Sequence, residues 1–227
     1  MRKHIPVIFA IILLNIANAH AEVVYSDRVS FNSSVGTTFT DDFSNPGYGT
    51  SDGATILTDA QMSAVIGQTS FKSTFWPDQN IVAHLGGVTQ YYCAGCNGSF
   101  QLDFMSTSLT SSQGIYGFSV DFSNFYGNPG ELPYVATVSF GNGSSKDYSL
   151  DHGALNESFY FFGITSPLSI SRVHFGLAGG LPYAGNSFQL KDITIASAVP
   201  EPETYAMLLA GLGLLGFMAH RKKETII

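Results

Sequence analysis

The sequence predicts an all-β body, an antiparallel β-sandwich of jelly-roll type with about ten short strands. Three observations lead there. Apolar and polar residues alternate over short stretches, which is the period of a half-buried strand. Gly, Asn and Pro punctuate these stretches at intervals that suit hairpins. No long part of residues 22–197 carries a 3.6-residue apolar period. A closed barrel is the main alternative architecture. A transmembrane barrel is disfavoured, because the strands lack sustained ten-residue alternation and aromatic girdles.

The clearest strands lie in the second half. Phe118, Val120 and Phe122 point one way, and Ser119, Asp121 and Ser123 the other. Tyr134, Ala136, Val138 and Phe140 alternate likewise, and Gly141-Asn142-Gly143 turns the chain back into Lys146 to Leu150. Phe159 to Thr165, Ser171 to Leu177 and Phe188 to Ile195 give three more. In the last, Phe188 and Leu190 share a phase while Ile193 and Ile195 take the opposite one. A β-bulge at Lys191-Asp192 reconciles them and re-aims Asp192 toward the edge of the fold. Upstream strands are expected at Val23 to Phe31, Gly36 to Phe43, Phe71 to Trp76, Ile81 to Tyr92 and Gly98 to Phe104. One helix is expected, Asp59 to Ile66, N-capped by Thr58.

Both ends read as targeting segments. Residues 1–21 have a basic start, an apolar core from Ile5 to Leu14, and small residues at two cleavage positions, after Ala19 or after Ala21, as in a secretory signal peptide. Residues 198–204 form a linker containing Pro200-Glu201-Pro202. Residues 205–220 form an apolar membrane helix with Gly211, Gly213 and Gly216, bounded by Tyr205. Residues 221–227 form a basic tail led by Arg221, Lys222 and Lys223. Gly at such positions suits close helix packing in lipid, and the basic cluster prefers the cytoplasmic side, so the body faces outward. At about 1.5 Å per residue the uncharged run spans roughly 22 Å and needs its flanks to snorkel. A plain anchor or a buried terminal helix are the other readings of this segment.

The order Val199-Pro200-Glu201-Pro202, then Thr204, then a Gly/Leu-rich helix and a basic end resembles the PEP-CTERM sorting signal of exported bacterial proteins. The resemblance implies an exosortase as partner, a membrane transpeptidase-like enzyme that recognises Pro200-Glu201-Pro202 and removes the helix. It also implies a cell-surface or extracellular-matrix destination beside exopolysaccharide. The stretch from Phe161 to Ala196, with its Phe-Phe-Gly-Ile strand and closing Asp-Ile strand, resembles lectin-like or carbohydrate-binding jelly rolls. Lys191 departs from the paired acids of many such relatives.

Charge narrows the partners. Residues 22–199 contain five Lys or Arg against fourteen Asp or Glu, a net of −9 that the whole-chain value of −7 conceals. Nucleic acid and anionic lipid are disfavoured, while divalent cations and neutral sugars remain compatible. Cys93 and Cys96 are the only cysteines. In an exported protein a local disulfide is expected, ahead of zinc, redox chemistry or free thiols, because Asn97-Gly98 leads into a strand rather than a helix.

Asp27, Asp42 and Asp192 are the candidate calcium ligands, joining first and last strands, although no Asp-x-Asp-x-Asp-Gly loop is present and each carboxylate also suits a turn. Trp76, Asp78, Asn80 and Tyr126 are the candidate carbohydrate contacts, since they sit in loop-like mixtures of aromatic and amide residues. Packing of those rings in the core is the competing reading. No nucleophile elbow or zinc-protease helix occurs, so an exported non-enzymatic protein is expected. A carbohydrate-binding module is the alternative, a secreted hydrolase a further one. Ice binding ranks last, for want of regular Thr arrays.

Overall fold

The computed structural model describes residues 22–49, 53–85, 89–93, 98–109, 114–126, 135–150, 159–182, 187–199, 209–213 and 215. The expected signal peptide lies outside the described residues, as do most of the expected membrane helix and the whole basic tail. Among the described residues no helix is long and apolar enough to cross a membrane.

The body is all-β and antiparallel. Its strands are β1 (Val23–Tyr25), β2 (Thr38–Asp41), β3 (Gly53–Leu57), β4 (Ser70–Ser73), β5 (Asn80–Leu85), β6 (Thr89–Cys93), β7 (Phe100–Asp103), β8 (Ile115–Tyr126), β9 (Val135–Phe140), β10 (Ser145–Ser149), β11 (Tyr160–Gly176) and β12 (Ser187–Ala196). Two short α-helices join them, α1 (Arg28–Ser33) and α2 (Asp59–Ile66). The twelve strands make one continuous sheet with the main path β10-β9-β11-β8-β12-β6-β5-β3.

That sheet is curled, and β11 is what curls it. Its first half pairs with β8 and β1, its second half with β9 and β7. Between them Pro167 offers no backbone N–H, Ser169 takes φ 59°, and the register slips between Ile170 and Arg172. Gly114 is required at this corner. It has φ 105°, and a Cβ there would lie 2.2 Å from the Ile170 carbonyl oxygen.

Folding over brings the two halves face to face. Phe118 meets Phe175 and Tyr148 meets Phe162 across the layers, while Phe100 stacks on its β11 neighbour Phe175 within one layer, with centroids 5.0 Å apart. The core between the layers is largely aromatic, with Phe100, Phe104, Phe118, Phe175 and Tyr92 fully buried.

A second, smaller core lies on the outer face. Phe31 and Val35, from α1 and the turn after it, pack with Ala196 over Gly117 of β8 and Gly163 of β11. Those two glycines leave room for the Phe31 ring, which a Cβ at either position would approach within 3.2 Å.

Several sequence expectations are corrected here. Val23 to Phe31 is not one strand: Asp27 accepts from the Ser30 amide at 2.8 Å and starts α1. Ile81 to Tyr92 divides into β5 and β6, and Phe159 to Leu177 is the single strand β11. The strand expected to reach Trp76 stops at Ser73. β3 was not foreseen. The α2 helix, its Thr58–Gln61 capping box and the bulge in β12 are present, the last with Asp192 at φ 51° and a register shift between Lys191 and Thr194.

Candidate functional site

The expected sugar-contact residues divide sharply in the structure. Phe75 and Trp76 lie on the loop that follows β4, 39% and 48% exposed, with centroids 4.9 Å apart and planes at 80°. Pro77 and Asp78 continue the exposed run.

The loop is braced from below by one carboxylate. Asp59, the first residue of α2, accepts at Oδ1 from the Ser73 amide (2.9 Å), the Ser73 hydroxyl (2.6 Å) and Asn80 Nδ2 (2.8 Å). The Gln79 amide donates to Ser73 Oγ at 3.0 Å, closing the loop at its base. Asp78, at φ 57°, accepts from the Asp59 amide at 2.7 Å.

Asn80 is thus no sugar contact. It is fully buried, donating to Asp59 and accepting from the Tyr92 hydroxyl at 2.8 Å. Asp78 is exposed, with one carboxylate oxygen engaged by the Asp59 amide. The Tyr126 side chain lies outside the described residues. The adjacency of Phe75 and Trp76 before a proline marks this pair in the sequence, and the structure keeps the two rings together at the surface. Sequence reasoning missed Asp59 as the brace, and nothing in the sequence marked it.

The expected calcium ligands are not brought together. Asp27 caps α1, and its hydrogen bonds from Ser30 hold its carboxyl below the usual range. Asp42 accepts from the Ser44 amide at 2.9 Å, and the Ser44 hydroxyl first, then that amide, lower its pKa as well. Among the described residues no group of three His, Cys, Asp or Glu side chains could hold a metal.

Asp192 faces Asp121 instead, and the charge balancing that pair is the chain's own. Arg28 Nη2 lies 3.0 Å from Asp121 Oδ1, Nη1 donates to Thr194 at 3.2 Å, and the guanidinium sits over the Phe161 ring. Burial raises the Asp121 pKa, and Asp192 adds to the rise against the pull of Arg28.

Two histidines are buried rather than poised at a surface. His84 Nε2 is 3.1 Å from the Tyr48 carbonyl oxygen, and His174 Nε2 is 3.0 Å from Thr74 Oγ1. Cys93 is disulfide-bonded and 3% exposed. The chain's other cysteine, Cys96, lies outside the described residues.

The tail leaves the body without slack. Ser197 donates to the Thr37 carbonyl and accepts from the Gly36 amide, both at 2.9 Å, and Ser197 Oγ accepts from the Thr37 amide. Val199 is 46% exposed. Pro200, Glu201, Pro202, Tyr205, Gly216, Arg221, Lys222 and Lys223 lie outside the described residues. Gly211 and Gly213 fall in a short exposed helical stretch.

Residues 198–222 match the family model of the PEP-CTERM protein-sorting motif. The chain carries that sorting motif. It begins one residue after the last one pinned to the sheet, so the PEP-CTERM segment follows the folded body directly. No curated protein matches the chain.

Two solved structures are similar at low level. One is the CBM22-1–GH10 modules of the Clostridium thermocellum endo-1,4-beta-D-xylanase 10B complexed with xylohexaose. It has TM-score 0.30 and 10% identity, covering 60% of this chain and 25% of the xylanase chain. The present chain thus spans about a quarter of that chain's length. The other is the family 11 carbohydrate-binding module of Clostridium thermocellum in complex with a β-1,3-1,4-mixed-linked tetrasaccharide. It has TM-score 0.26 and 14% identity, covering 66% of this chain and 99% of the module.

Proposed function

We propose that this protein is an exported, non-catalytic cell-surface or extracellular-matrix protein. In this reading it is held in the membrane as a precursor, processed by an exosortase at Pro200-Glu201-Pro202, and left among exopolysaccharide with its jelly-roll-like body facing outward. The observation that carries it is the PEP-CTERM sorting motif over residues 198–222. The position of the motif supports it, because its first residue follows directly on Ser197, which is bonded to Gly36 and Thr37. A proline-rich segment holds itself extended and offers its backbone to an enzyme. The non-catalytic reading is supported by the burial of His84 and His174 and by the hydrogen bonds that engage Asp59 and Asp78.

A second reading, a carbohydrate-binding body, is favoured by one observation only. That is the exposed Phe75–Trp76 pair on a braced loop.

The deciding experiment is intact mass of the protein purified from its host and from a strain lacking the exosortase. The expected native mass ends near Pro200 to Pro202, with residues 205–227 retained in the deficient strain. Retention of those residues in both strains would sink the processing reading.

A further inference from the structure

Phe75 and Trp76 touch each other while remaining substantially exposed. Large rings left in water forgo the burial free energy that aromatics ordinarily supply, which makes a paired, exposed set a candidate contact surface. The loop carrying them is also ordered: Ser73, Asp59, Asp78 and Asn80 hold both of its ends in one hydrogen-bonded frame. Its stem is tied a second time through the Thr74 amide, which donates to the Ser99 carbonyl at 2.9 Å. The rings are therefore presented in a fixed geometry, and a ligand that meets them need not freeze a mobile loop.

We propose that the Phe75–Trp76 corner binds single chains of neutral polysaccharide, stacking one pyranose on the face of one ring. This rests on the reading above of an exported protein beside exopolysaccharide, and it names the contact and the polymer class. The apolar C–H face of a pyranose covers one ring while the second ring closes the side.

Two features choose the class. The body's net charge of −9 disfavours an anionic polymer, and the two carboxylates that brace the loop, Asp59 and Asp78, hold bonds within it. Ring planes at 80° cannot both lie flat on one surface, so a crystalline polymer face is a poor fit and a flexible chain a good one.

The test is affinity electrophoresis of the protein purified from its host, in gels containing soluble dextran, galactomannan, xylan or mixed-linkage glucan, beside pull-down on crystalline cellulose and chitin. Retardation by at least one soluble polymer is expected, weakened at least tenfold by Trp76→Ala and less by Phe75→Ala, with no retention on the crystalline solids. Lys72→Ala, a change at a nearby exposed position, should leave retardation unaltered. Absence of retardation across the panel overturns the proposal, as does retardation that survives Trp76→Ala. Trp76-dependent binding to a crystalline solid overturns the single-chain geometry, and Trp76-dependent self-association in sedimentation would assign the corner to a second copy instead. Trp76→Ala protein should still be processed at its tail. A failure of processing in the wild type strikes the sorting reading alone, because the binding assay is read separately.

Discussion

His174 is 4% exposed, and its ring is asked to stay neutral. Thr74 Oγ1 donates to Ser99 Oγ at 2.8 Å, so the same hydroxyl accepts from His174 Nε2–H. Nδ1 is then a bare acceptor with no hydrogen-bond partner. Burial, with the Arg172 charge adding to it, pushes the pKa down to about 4. The unfolded chain protonates this ring near its ordinary value, whereas the fold resists until much lower pH. His174 therefore contributes stability that is present above about pH 6.5 and is lost as pH falls toward 4. Urea unfolding across that range should show the wild type losing up to about 3 kcal/mol more than His174→Gln between pH 7 and 4. Parallel curves for the two proteins would show that the ring is not titrating with folding. In the sequence His174 stands inside an apolar stretch between Val173 and Phe175, which says nothing of what its ring meets. Its partner Thr74 comes from a segment 100 residues away, which no local pattern exposes. Asn80 shows the same limit. It stood in an aromatic loop and resembled a sugar ligand, but its environment is set by the pairing of β5 with β6, which brings up Tyr92.

At the scale of elements, what was legible was what is written in local phase. The reversal between Leu190 and Ile193 predicted the β12 bulge, and all three of Leu190, Ile193 and Ile195 are buried in the main core. Thr58 was expected as the N-cap of α2, and Gln61 three residues on completes a capping box there. The α1 helix was not legible because its stability is tertiary. Six residues are too few to hold a helix alone, and this one exists because Phe31 fits over two glycines on strands 80 or more residues away. Gly117 is the tighter test of that fit. A Cβ there would sit 3.0 Å from Val35 Cγ1 and 3.2 Å from both the Ala196 Cβ and the Phe31 ring. Gly117→Val should cost about 1–3 kcal/mol in urea unfolding, as overpacked cores do. It should also expose the α1 amides to faster hydrogen exchange while β9 and β10, in the opposite layer, keep their protection. Uniform loss of protection would mean that α1 and the sheet unfold as one unit.

For the whole molecule, the fold class was readable because alternation and turns are local, but the long curled strand was not. Two strands expected at Phe159–Thr165 and Ser171–Leu177 are one, and their merger is what folds the sheet over. The consequence reaches the tail. With β12 bound on both sides up to Ala196 and Ser197 clamped to Gly36 and Thr37, Pro200 lies only three residues beyond the last anchored position. At about 3.3 Å per extended residue that is a reach of roughly 10 Å, short beside the bulk of the body. Any enzyme that closes on Pro200-Glu201-Pro202 must therefore work close against the row of strand ends at Thr38, Ala196 and Gly117. Ala198 and Val199, the first two residues of the matched segment, are exposed, and removing them leaves every β12 ladder bond in place. Deleting both should keep unfolding within about 1 kcal/mol of the wild type, since exposed chain ends add little to stability. The same deletion draws the motif in by roughly 7 Å and should leave the tail largely unprocessed in the host. Replacing the pair with four Gly-Ser residues should restore processing. Intact mass reads both results, and a deletion protein trimmed as fast as the wild type would show that the body stands clear of the enzyme.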